Sequence, residues 1–197
     1  MLFLKKAATC VLALLAVPSI AALTPTQMID NINVLIAKSQ ALQEPAQSIT
    51  ILNGPLIVIG QGPFPQIISG FTDIIQTTTT AIAQMQGTEK VTVEDDRQAI
   101  AKAFREFVRV HQVLLNTLIG KAGLFNTVPV VGQPVASVLR QLEAVVDTIA
   151  FGLIDIVESD DMKAQADSLS GTITIAIDSY DGLGLELTKR HVRDFST

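Results

Sequence analysis

Apolar residues recur three and four positions apart in one block after another of this chain, and none of those blocks contains a cysteine. Side chains spaced in that way share one face of an α-helix, and such a face is stable only when another element covers it. The sole cysteine, Cys10, belongs to a different kind of segment. Lys5 and Lys6, the apolar run Ala7–Val17 and the small-x-small triplet Ser19-Ile20-Ala21 have the layout of a secretory leader, with cleavage expected after Ala21 or Ala22. The apolar run, about 11 residues, is too short for a bilayer that needs roughly 20. Residues 1–21 are therefore read as a signal peptide, 22–182 as a helical domain and 183–197 as a polar C-terminal tail. Disulfides form readily outside the cell, so an exported domain without them must be held by its interior, and roughly 175 residues are enough to build one.

The punctuation divides one domain into helices. Thr24-Pro25-Thr26-Gln27 predicts a capped start, with Thr24 as N-cap, Pro25 at the first helical position and Gln27 closing a capping box. Met28, Ile29, Ile32, Leu35, Ile36 and Leu42 then give an apolar side up to Pro45, and a shorter helix is expected over Pro45–Leu52, stopped by Asn53-Gly54-Pro55. Leu56–Ile59 has the composition of a buried strand but no partner strand, and is read as an apolar connector. A helix follows from Phe64 to Met85, ended by Gly87. Another runs from Val93 to Ile119, with Thr92 as its cap, acids at 94–96 in its first turn, and Gly120–Gly123 as its break. After a loop containing Pro129 and Pro134, the spacing resumes from Val135 to Val157, and a last helix begins near Ser159-Asp160-Asp161. Within it Thr172–Ile177 alternates like a strand, but the helical spacing continues unbroken from Met162 to Tyr180, so helix is preferred. The expected fold is an all-α, antiparallel bundle of about five helices with an apolar interior and no disulfides.

Charge and motifs exclude several functions. Lys and Arg number 14 against 19 Asp and Glu, and loss of Lys5 and Lys6 with the leader lowers the formal charge from −5 to −7. An acidic surface repels nucleic-acid phosphates and anionic head groups. No G-x-S-x-G, H-E-x-x-H or glycine-rich phosphate loop is present, two histidines and no mature cysteine leave few nucleophile-base pairs, and no motif implies a cofactor or a metal. The acids at 94–96 and at 160–161 serve the positive ends of helices. The chain is accordingly expected not to be an enzyme.

The interior is almost purely aliphatic, and some apolar residues lie off the main stripes: Val110, Val113, Ile119, Phe151, Ile154 and the connector Leu56–Ile59. Such surplus either lines a cavity or forms an exposed patch. Gly70, Ala81, Gly152 and Ala176 fall at seam positions, where small residues either draw helices together or leave a channel. A channel would suit an acyl chain, because each buried methylene contributes about 0.8 kcal/mol and a dozen give on the order of 10 kcal/mol before entropic costs. Its expected lining is Phe71, Ile74, Phe104, Phe107, His111, Leu142, Val145, Ile149, Gly152 and Ile173. His111 falls on the seam, either as a core imidazole bonded to a neighbour or as a partner for a carboxylate or polar head; His191 lies in the charged tail.

Residues 26–32 (TQMIDNI), Gly62-Pro63-Phe64 with Ile67-Ile68-Ser69-Gly70-Phe71, Leu139–Leu153 and Ala176–Tyr180 together resemble the fungal hydrophobic surface binding protein A and cell-wall galactomannoprotein family across nearly the whole mature chain. That resemblance implies a secreted, extracellular helical bundle, in some members associated with the cell wall. It implies either fatty acids held in the apolar interior or adsorption to hydrophobic surfaces, some surface-binding members recruiting secreted esterases. The chain departs from the mannoprotein pattern after Tyr180, with neither a Ser/Thr-rich stalk nor a hydrophobic tail, so free secretion is expected. Lys189-Arg190 has the form of a dibasic processing site. Two functions follow as expectations: a carrier enclosing a fatty acid or similar lipid, and an adhesin whose helices open onto waxes or polyesters.

Overall fold

The computed structural model describes residues 22–125 and 129–181; the leader, the tail, His191 and the dibasic pair lie outside the described residues. Among the described residues there are six α-helices: α1 (Pro25–Ala41), α2 (Gln43–Gln47), α3 (Pro63–Met85), α4 (Glu94–Ala122), α5 (Pro129–Val157) and α6 (Asp160–Asp181). Short 3-10 helices at Gly54–Ile59 and Gly123–Phe125 precede α3 and α5. Among the described residues there is no strand, and Thr172–Ile177 is helical, as its 3-4 spacing requires.

The five long helices alternate in direction along the chain but not around the bundle. Lys38 pairs with Asp73, and Asn31 Nδ2 donates to Gln84 Oε1 at 3.1 Å, so α1 and α3 are antiparallel. Ser39 meets His111 while Lys121 reaches the Ile49 carbonyl, which makes α1 and α4 parallel. Arg105–Asp161 and Tyr180–Leu118 set α6 parallel to α4, and Thr174–Glu143 with Asp181–Arg140 set α5 antiparallel to α6. The main contacts therefore run around a closed ring, α1 to α4 to α6 to α5 to α3 and back to α1. Helices with neighbours on more than one side bury more than one stripe. This explains Val110, which is off the main stripe of α4 and yet buried between the others.

Local chemistry accounts for the boundaries. The capping box at α1 forms as expected: Gln27 N–H donates to Thr24 Oγ1 while the Gln27 carboxamide accepts from the Thr24 N–H. Gly87 ends the α3 segment with a φ of +77°, a conformation that favours glycine.

Other boundaries differ from expectation. The second helix is Gln43–Gln47 rather than Pro45–Leu52, because Asn53 folds its side chain back onto Ser48 O and the Thr50 N–H and closes a turn. Val93, not Thr92, occupies the N-cap of α4, without a side-chain bond. That entry is fixed instead by Val91 N–H on the Ile156 carbonyl and by Arg97 on the Val157 and Glu158 carbonyls. Gly120 does not break α4, since Leu118 and Ala122 are buried on either side and Lys121 is tethered to the Gln47 and Ile49 carbonyls. The expected loop around Pro129 and Pro134 is helical from Pro129 onward. Proline is compatible with the first helical position, and burial of Val131 and Val135 offsets the roughly 3 kcal/mol that an internal proline costs.

Candidate functional site

The residues expected to line one channel separate into two groups. Phe71 on α3 and Phe107 and His111 on α4 are packed on one another, with ring centroids 6.2 Å apart for Phe71 and His111 and 5.3 Å apart for Phe107 and His111. Phe104 joins them at 6.3 Å from Phe107. All four are buried, as are Ile74, Leu142 and Ile173 on α3, α5 and α6. Phe71, Ile74, Phe104, Phe107, Leu142 and Ile173 belong to one buried apolar core.

His111 is fully buried within that core. Its Nδ1 lies 2.8 Å from Ser39 Oγ, and its Nε2 has no hydrogen-bond partner among the described residues. Burial without a neighbouring acid pushes its pKa down to about 4, so the imidazole is neutral at physiological pH and offers no charge to a carboxylate. A hydroxyl bonded to an imidazole has half the form of a nucleophile-base pair, but both residues are fully buried, and a substrate would reach them only through an opened core.

The second group borders a groove. Ile149 and Gly152 on α5 face Ile82 and Met85 at the end of α3, and with Ile156 they form the apolar wall of a depression of about 310 Å³. Val145, one turn earlier on α5, is half-buried and outside that wall. Gln86, Thr88, Thr148 and Asp155 supply the polar lining. Gly152 keeps the groove open: a Cβ there would come within 3.0 Å of Met85 Cε, the mobile tip of a flexible side chain. The wall contains no basic residue, and Asp155 gives the rim a carboxylate. An apolar chain fits the wall, while an anionic head group would be repelled at the rim.

Ile82, Met85 and Ile156 were absent from the sequence-based set. Their signal was available only in part, since Ile149, Gly152 and Ile156 share one face of α5 at i, i+3 and i+7, whereas their pairing with the end of α3 depends on tertiary structure. The other small seam residues do not open space. A Cβ at Gly70 would come within 2.3 Å of Leu42 Cδ2, so Gly70 exists to let Leu42 approach α3, and Ala81 and Ala176 are buried.

Among the described residues no three His, Cys, Asp or Glu side chains are grouped to hold a metal ion, and no helix is long and apolar enough to cross a membrane. No family model and no curated protein matches the chain.

Proposed function

We propose that this is a secreted, non-enzymatic carrier of hydrophobic ligands that takes an acyl chain between α3 and α5, beside Gly152. The groove carries the proposal. Its 310 Å³ lies at the lower end of the roughly 300–1,000 Å³ range of small-ligand sites, and an apolar wall with a few polar groups at its edge is the usual arrangement of such sites. Asp155 at the rim favours lipids with an uncharged head, such as an ester or alcohol, over free carboxylates. The resemblance to the hydrophobic surface binding and galactomannoprotein family supports the same class of ligand, and the leader-like segment at residues 1–21 supports an extracellular location.

An adhesin that unrolls its helices onto wax or polyester is less well supported. Opening the ring would strip cover from Phe64, Phe71, Phe104 and Tyr180, all of which are fully buried, and each large side chain returned to water costs about 1.5–3 kcal/mol.

Titration of a fluorescent long-chain acyl ester tests the carrier. The wild-type protein binds it at one site, and Gly152→Leu, whose side chain occupies the groove, lowers the affinity at least about tenfold with helicity unchanged. Equal binding by the two proteins would refute the location, and no binding by either would refute the carrier.

A further inference from the structure

Among the described residues one end of the bundle is poor in charge: Lys121 there is held on the Gln47 and Ile49 carbonyls, and Asp181 is paired with Arg140. From Pro45 to Thr72 and again from Ala122 to Leu139 the sequence contains no Asp, Glu, Lys or Arg, and the fold brings these separate stretches together where α1, α4 and α6 finish and α3 and α5 begin. The 3-10 segment Gly54–Ile59 packs on α3 and α5, and Gly54 lies directly under the ring of Phe125. Leu52 is 85% exposed, Val58 70%, Ile59 64% and Ile51 54%, and Leu124 and Val130 are also exposed at this end. The opposite end is charged with an acidic excess: Glu94, Asp95, Asp96, Asp155, Glu158, Asp160 and Asp161 gather around the entries to α4 and α6, with Lys90, Arg97 and Arg105 paired among them.

The geometry points to a docking face: the intact bundle stands end-on upon an uncharged, zwitterionic lipid bilayer through Ile51, Leu52, Val58 and Ile59. Four properties favour that occupant. The face presents aliphatic side chains on short turns, which enter the boundary between head groups and acyl chains without unfolding a helix. The cation beside it, Lys121, is already held by the Gln47 and Ile49 carbonyls, and the net negative charge of the protein opposes anionic lipid. The stretch 45–72 that carries these four residues contains no acid whose desolvation would resist insertion. The acidic end is placed farthest from the bilayer, in water, so the molecule is an amphiphile along its own axis.

This face is separate from the groove beside Gly152, so docking does not depend on the carrier function. Flotation with vesicles of phosphatidylcholine alone provides the test, using the full-length protein. Wild type is expected to float with the vesicles, and replacement of part of the lipid by anionic phosphatidylglycerol is expected to weaken the association. The double variant Leu52→Asp/Ile59→Asp loses at least about tenfold in partitioning, as does the milder Leu52→Ser/Val58→Ser. Phe151→Asp, at a residue 67% exposed on α5, partitions like wild type, and so does Gly152→Leu. Far-UV circular dichroism must show the same helicity in every variant counted. The proposal is overturned if wild type fails to float, in which case a different occupant, residues 182–197 of this chain included, covers the face. It is equally overturned if both double variants float like wild type, or if Phe151→Asp loses as much as they do.

Discussion

The buried Ser39–His111 pair joins two polar side chains across the interior, from α1 to α4. His111 has a folded-state pKa of about 4, against about 6.5 when the chain is unfolded, so between those values the unfolded state binds the extra proton. The contribution of neutral His111 is therefore complete above about pH 6.5 and declines as the pH falls toward 4, by about 3 kcal/mol across the window. Denaturant titrations from pH 7 to pH 4 should show that loss, and His111→Leu should flatten it. Ser39→Ala removes the hydroxyl that partners His111 Nδ1 and is expected to cost about 1–3 kcal/mol at pH 7. Gly70→Ala should cost about 1–3 kcal/mol as well, because its methyl would overlap Leu42 between α2 and α3. His111 was legible from the sequence as a seam residue, since its neighbours at helical spacing demand burial. The identity of its partner was not legible, because Ser39 lies on another helix, 72 positions away.

The helices show which local signals determine structure and which are overridden. Thr24 has both the sequence and the geometry of an N-cap, so Thr24→Ala should lower stability by about 1 kcal/mol. Thr92 has the sequence of a cap but is exposed and makes no capping bond, so Thr92→Ala should stay within about 0.5 kcal/mol of wild type. Thermal melts of the two variants side by side measure the difference. Periodicity identified the five long helices because burial of Ile, Leu, Val and Phe at 3-4 spacing dominates their energetics. Punctuation was less reliable. Gly120 and Pro134 stop helices in isolation, yet here buried neighbours on the same turns, Leu118 and Ala122 or Val131 and Val135, hold the helix through them. Side-chain tethers across the fold, such as Arg97 to the end of α5, are likewise invisible to a local pattern.

At the scale of the whole molecule, the ring order of the helices decides what each small or surplus apolar residue does. Gly152 faces Met85 because α3 and α5 are neighbours and parallel, and only that pairing converts a glycine on a helix face into an open groove. Phe71, Phe104 and Phe107 are buried and packed with His111, whereas Ile149 and Gly152 border the groove between α3 and α5, so the sequence pattern that groups them spans two environments. The same topology separates an end with an acidic excess from one poor in charge, because the stretches 45–72 and 122–139 lie next to each other only after folding. The central claim is that the protein carries an acyl chain beside Gly152, and native mass spectrometry of the protein as secreted by its own source measures this most directly. One adduct of acyl-lipid mass on the wild-type protein, absent from Gly152→Leu, is the predicted result; a bare polypeptide mass that stays bare after incubation with long-chain esters and fatty acids would contradict it.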